Sequence, residues 1–265
     1  MDKDVYPGLS SFCDWFRGYV DNYVIIGGVA NSLLLHEGDA SNHVRATRDL
    51  DIVLLVEAIT PDFGRAFWDY IKTAGYAHQQ KSGKNIFYRF HSPISVDYPK
   101  VIELFSRQIE GLPIPADAVL TPVPISDELS SLSAILLDDE YYRLLRSGIR
   151  RIKGVPVLDE KRLILFKAKA WLELTELRER DSALVHANDI SKHFSDIFNR
   201  LVLLLPQDYS HVLALPESVE DDMVDFLRKA GKRSNRDGVM YEEDKGWQKK
   251  ANALIAAYGL PWDWC

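Results

Sequence analysis

Residues 23–56 constrain this chain more than any other stretch, because they order a strand, a glycine pair, a helix and a second, acidic strand. Tyr23-Val24-Ile25-Ile26 is an apolar run closed by Gly27-Gly28, a pattern that predicts a buried strand ending in a tight turn. Val29 to Leu35 then begins a helix, which puts the glycine amides at its N-terminus. Backbone N–H groups and the helix dipole there suit phosphate oxygens. The second strand, Thr47 to Val56, opens with Asp49 and Asp51, spaced i, i+2 so that both project from one face. Two carboxylates held together repel each other. A divalent cation relieves that repulsion, and Mg²⁺ takes oxygen ligands that it shares with substrate phosphates.

A third acid follows in a similar setting. Glu103 interrupts the apolar run Val101-Ile102-Glu103-Leu104-Phe105, where an ionised side chain is costly unless something pairs with it. A metal shared with Asp49 and Asp51 would serve, and so would an arginine such as Arg107 or Arg89. Asp97 is the rival for third carboxylate, but it lies beside the Ser92-Pro93 turn, where it is readily solvated, and is soon followed by Pro99.

The surrounding pattern predicts an α/β (α+β) fold with a mixed sheet and flanking helices. Leu9, Phe12, Phe16, Tyr19 and Val20 recur at helical spacing, predicting an amphipathic helix over 9–21. Pro61 suits the first turn of a helix ending near Gly75. Strands are expected over 85–90 and 96–106. Four prolines in 111–126 predict extended chain, helix is expected over 129–145, and short β structure around Gly154. From Asp159 the chain reads as helical, with helices through Leu163–Leu177, 188–205, 217–230 and 245–258. The expected division is a sheet-bearing domain over 1–125 and a mainly helical C-terminal domain over 126–265.

The chain of 265 residues carries a net charge of −7, which argues against a general polyanion-binding surface. Residues 143–200 nonetheless hold more Lys and Arg than Asp and Glu, which suits local contact with phosphate or RNA and equally suits solvated helix faces. Two cysteines, Cys13 and Cys265, supply no disulfide framework. With no apolar run of membrane-spanning length, a reducing cytoplasm is the expected setting.

Gly27-Gly28 followed by Asp49-x-Asp51 resembles the first motif of the DNA polymerase β-like nucleotidyltransferase superfamily. The spacing is longer than in compact members, implying a loop insertion around Glu37 to Arg45. Further along, Lys167-Ala168-Lys169-Ala170 and then Asn188-Asp189 are similar to later motifs of the AbiEii-type abortive-infection family, with Asn188 where a basic residue is usual. The resemblance covers residues 23 to about 200. It implies that Asp49, Asp51 and Glu103 hold one or two Mg²⁺ ions, that the Gly27 and Gly28 amides cradle an NTP, and that Lys167 and Asp189 reach the active site. Lys167 would neutralise the triphosphate; separately, it lies beside the apolar stripe of its helix, where a lysine needs a partner, and Asp189 is the candidate. The implied reaction moves an NMP to a hydroxyl of RNA, tRNA or protein, and family members include toxins of toxin–antitoxin and phage-defence pairs, so an antitoxin is an implied partner. A nucleotide-binding module without turnover, or a protein-interaction module, is the alternative reading.

Overall fold

Aromatic residues at helical spacing build the first layer. Leu9, Phe12 and Phe16 are buried on or just after helix α1 (Leu9–Trp15), and a 3₁₀ turn, Arg17–Tyr19, follows. The helix expected to run to residue 21 therefore stops early, and Gly18, a poor helix former, lies in the turn that replaces its end. The computed structural model describes residues 6–44, 47, 49–78, 89–107, 120–122, 133–183, 185–206, 211–236 and 245–261. These form two units, Met1–Leu34 with Arg45–Asp159, and Leu35–Val44 with Glu160–Cys265. The division thus falls later in the chain than 125, because strands after that point still belong to the sheet.

In the first unit the chain forms β1 (Tyr23–Ile25), α2 (Gly27–Glu37, whose last turn counts with the second unit), β2 (Asp49–Leu54), α3 (Pro61–Thr73), β3 (Ala77–His78), β4 (Arg89–His91), β5 (Val101–Arg107), β6 (Leu120–Pro122), β7 (Ser133–Leu137), α4 (Asp139–Ser147), β8 (Ile149–Ile152) and β9 (Val155–Leu158). The sheet order is β3-β4-β5-β2-β1-β9-β8. Strand β5 runs parallel to β2 on one edge. Its other edge is shared by antiparallel β4 and, further along, parallel β7, with β6 pairing β7.

Register divides the sheet into an aromatic face and an acidic face. Tyr23 and Ile25 align with Leu54 and Ile52, and Leu50 and Ile52 align with Ile102 and Leu104. Phe90 aligns with Ile102. All of these are buried. On this side α1 and α3 pack through edge-to-face and tilted rings, among them Phe12–Tyr23 (5.4 Å), Phe16–Phe63 (5.8 Å) and Phe67–Phe90 (5.5 Å). Such pairs add about 0.5–1.5 kcal/mol each beyond area burial. Strand alternation sends Asp49, Asp51, Glu103 and Arg89 to the opposite face.

Helix α3 starts as its sequence requires, with Thr60 capping the Phe63 N–H and Pro61 in the first turn. Two other expectations fail. Strand β5 begins at Val101, and residues 96–100 form bends and turns, because Pro99 has no N–H for a ladder. Of the helix expected over 129–145, residues 129–132 lie outside the described residues, Ser133–Leu137 is strand β7, and helix α4 begins only at Asp139. Ser133–Leu137 is a short apolar run usable by either structure, and pairing with β5 and β6 decides it. Asp138 caps α4 by accepting from the Glu140 and Tyr141 N–H groups. The expected strand over 85–90 lies partly outside the described residues; its end is β4. The extended chain expected over 111–126 is described only at β6.

The second unit contains α5 (Glu160–Arg180), α6 (Ala187–Phe198), α7 (Glu217–Arg236) and α8 (Lys245–Tyr258). The helix expected to reach residue 205 ends at Phe198, and a 3₁₀ turn, Leu201–Leu204, follows. Trp171, Phe198, Phe226 and Trp247 share one core, with ring centroids 4.5–5.8 Å apart for Trp171–Phe226, Phe198–Phe226 and Phe198–Trp247. Mixed α/β architecture with a helical C-terminal region is what the sequence pattern implies. None of the described helices is long and apolar enough to cross a membrane.

Candidate functional site

The glycine turn and the acidic strand are built against each other. Ile26 N–H donates to the Asp51 carbonyl at 3.0 Å, tying the end of β1 to β2. Gly27 has φ 67°, in the left-handed region that costs other residues strain. A Cβ there would overlap Asp51 Oδ2 and lie 2.8 Å from Asp51 Cγ. A Cβ on Gly28 would lie 2.5 Å from Thr47 Oγ1. A side chain at either glycine would thus displace a neighbour on the acidic strand or its lead-in. Gly27 and Gly28 open α2, and N–H groups in the first turn of a helix lack intrahelical acceptors.

The three carboxylates expected to act together lie on adjacent strands. Asp51 is directly in register with Glu103, and Asp49 with Val101. All three acids are partly buried. Glu103 is also in register with Arg89 on its other side, and Arg89 Nη1 meets Glu103 Oε1 at 2.8 Å, with the Glu103 side chain 18% exposed. The arginine partner considered for this acid is therefore present, and the acid also stands in register with Asp51. Arg107, the other arginine considered, pairs with Glu57 instead (3.1 Å). Asp97 is exposed and accepts from the Ser95 hydroxyl at 3.0 Å.

Among the described residues, no three His, Cys, Asp or Glu side chains stand close enough together to share a metal ion. The donor chemistry nonetheless suits Mg²⁺, since Asp49, Asp51 and Glu103 present carboxylate oxygens on one sheet face. An ionised carboxylate offers about four lone-pair sites, so an ion pair with Arg89 and metal ligation by Glu103 are compatible.

Tyr6 belongs to this neighbourhood and was not foreseen from the sequence. Its hydroxyl is buried and has no hydrogen-bond partner among the described residues. Burial raises its pKa well above the ordinary phenol value, and the negative charges of Asp49 and Asp51 raise it further. Thr47 was read only as the strand's beginning, although its position two residues before Asp49 could have marked it. Asn31, inside α2, is likewise buried with its Oδ1 unpartnered among the described residues.

Lys167 and Asp189 lie in the second unit and do not pair. Lys167 is 4% exposed and donates to Asp196 Oδ2 at 2.7 Å. Asp196 is fully buried and also accepts from Arg200 Nη1 at 3.3 Å. Asp189 is 44% exposed in its side chain and meets Lys192 at 3.1 Å. The short connection between packed helices α5 and α6 makes them antiparallel. Lys167 and Asp196 lie at similar distances either side of that connection, whereas Asp189 lies too near it. Lys169 pairs with Asp222 (2.9 Å). Of the basic middle stretch, Arg146, Arg151, Lys167, Lys169, Lys192 and Arg200 each meet a carboxylate within their own unit.

Comparison of the chain with protein-family models, with curated proteins and with solved structures returns no match.

Proposed function

We propose that this chain is a metal-dependent nucleotidyltransferase that moves an NMP from an NTP to an acceptor hydroxyl. The observation that carries the reading is the meeting of three features at one place. A side chain on Gly27 would strike the Asp51 carboxylate, Asp51 is in register with Glu103, and helix α2 begins at the turn. Helix-start amides, which suit phosphate oxygens, thereby stand beside carboxylates, which suit Mg²⁺.

On this reading the Gly27 and Gly28 N–H groups hold the phosphates, and Asp49, Asp51 and Glu103 supply the metal ligands. Mg²⁺, when bound, screens triphosphate charge and lowers the pKa of the attacking hydroxyl. Arg89 fixes the Glu103 rotamer through its ion pair. The bond formed joins the acceptor oxygen to the α-phosphorus, the bond broken releases pyrophosphate, and the hydroxyl proton leaves to solvent or a nearby carboxylate. Lys167 and Asp189 carry no part of the proposal, since both lie in the second unit and Lys167 is held in a buried pair with Asp196.

The test is incubation of pure protein with each α-labelled NTP, Mg²⁺, and total RNA or protein as acceptor. Label transfer and pyrophosphate release that vanish in Asp51→Asn support the reading; no transfer from any NTP to any acceptor refutes it. The Arg89–Glu103 pair favours one second reading, a nucleotide-binding module without turnover, which retains NTP binding in the same assay and transfers nothing.

A further inference from the structure

A cavity of about 540 Å³ lies in the first unit, at the opposite end of β2 from the glycine turn. That size falls within the usual range for small-molecule sites. Its described lining is Glu57, Arg107, Asp139, Tyr142, Arg143 and Arg146. Three guanidinium groups thus meet two carboxylates, in a chain whose net charge is −7. Arg107 lies four residues beyond Glu103 on β5, about 13 Å along the strand at the usual rise. The cavity therefore stands apart from the carboxylates of the proposed reaction.

Glu57 anchors two of the arginines. Arg107 Nη2 meets its Oε1 at 3.1 Å and Arg146 Nη1 its Oε2 at 2.6 Å, while the Tyr142 hydroxyl donates to Oε2 at 2.7 Å. A guanidinium carries five N–H donors, more than these contacts use. Arg143 is less engaged: its Nε donates to the Asp139 carbonyl at 3.2 Å, its Nη2 is 3.9 Å from Glu140, and its side chain is 73% exposed. Guanidinium forks converging from β5 and α4 suit a phosphate group, which they can meet bidentately. Ionised carboxylates accept hydrogen bonds and donate none, so ligand hydroxyls suit Glu57 and Asp139 without adding a cation beside three arginines. A nucleobase does not fit. The single ring, Tyr142, is 2% exposed and Arg107 stands over it at 5.4 Å, which leaves no open face for stacking.

We infer that this cavity binds a phosphorylated sugar or polyol, with the phosphate held by Arg143 and Arg146 and the hydroxyls by Asp139 and Glu57. Glu57 also acts as a positioning residue, since it spaces Arg107 and Arg146 on its two oxygens. The site is additional to the proposed transfer site, and its occupation needs neither NTP nor Mg²⁺.

The test uses the whole chain in EDTA, titrated with ribose 5-phosphate, glucose 6-phosphate, inorganic phosphate and ribose and followed by calorimetry. At least one sugar phosphate should bind, more tightly than inorganic phosphate or ribose. Arg143→Gln should weaken it about 10- to 100-fold, the worth of one charge-assisted hydrogen bond, while the urea midpoint stays level because the side chain is mostly exposed. Arg143→Lys, which keeps the charge and loses the fork, should fall between the two. The inference is overturned if no sugar phosphate binds at millimolar concentration, if inorganic phosphate or ribose binds equally well, or if Arg143→Gln binds like the wild type. A single-stranded oligonucleotide that binds through Arg143 where the small esters do not would assign the arginines to a polynucleotide, and would overturn the small-molecule class. The two proposals fail separately. Transfer without sugar-phosphate binding sinks the cavity assignment alone, and sugar-phosphate binding without transfer sinks the enzymatic reading alone.

Discussion

Replacing Gly27 by alanine tests the central contact of the site. Two costs follow from the structure. The left-handed backbone, φ 67°, charges any residue with a Cβ about 1–2 kcal/mol. The new methyl also overlaps the Asp51 carboxylate, and overpacking of this kind costs about 1–3 kcal/mol. Gly154→Ala is the control. It has φ 85° in the β8–β9 turn, and a Cβ there meets nothing within 4 Å, so it pays the backbone cost alone. Loss of glycine's unfolded-state freedom offsets both substitutions alike. Urea unfolding should therefore show Gly27→Ala less stable than Gly154→Ala by about 1–3 kcal/mol. Most of that excess should vanish when both changes are made in an Asp51→Ala background, where the overlapping carboxylate is gone. Equal losses for the two glycines, or an excess indifferent to Asp51, would refute the claim that the turn is shaped around this carboxylate. Transfer should also fall in Gly27→Ala and remain unchanged in Gly154→Ala.

The acidic face yields a second prediction: Asp51→Ala should abolish transfer while the urea midpoint of the unliganded protein stays level or rises, since a repelling neighbour of Asp49 is removed; a stable variant with wild-type transfer would end the metal-site reading. Glu103→Gln should lose Mg²⁺-dependent transfer yet fold, and Asp97→Asn should remain active, with the reverse pattern moving the site to the loop before β5; unfolding of Glu103→Gln would mark the Arg89 pair as purely structural. Lys167→Met should destabilise by about 3–5 kcal/mol, because it breaks a buried ion pair and leaves Asp196 with less compensation, whereas Lys169→Met, at a partly exposed pair with Asp222, should cost under about 1 kcal/mol; comparable urea midpoints would contradict the burial assigned to Lys167. For Glu57, burial pushes the carboxyl up, but hydrogen bonds from Tyr142 and Arg107 and the charge of Arg146 outweigh it and hold the pKa below its ordinary 4.5. A lowered folded-state pKa gives stability that is present above the unfolded value and is lost as pH falls through the folded one. The midpoint difference between wild type and Glu57→Gln should accordingly be full at neutral pH and disappear in acid, and a difference independent of pH would count against the assignment.

What the sequence determined by itself is local. Alternation through Leu50, Ile52 and Leu54 against Asp49 and Asp51 establishes which side chains share a face, because strand periodicity is a property of the backbone. The Gly27-Gly28 turn, the Pro61 helix start and the stretch around Gly154 follow from residues that few other conformations suit. Tertiary structure decided what depends on distant partners. Ser133–Leu137 is a strand because two other strands accept it there, a contest that an apolar run cannot resolve alone. Asp196, and not Asp189, meets Lys167 because the geometry of packed antiparallel helices determines which turns come level. Arg89 reaches Glu103 while Arg107 reaches Glu57 because sheet register puts one beside the acid and carries the other to the far end of β5. Tyr6, distant in sequence from the acidic strand, carries no periodic signal linking it to Asp49 and Asp51, whose charges act on it only once the chain has folded.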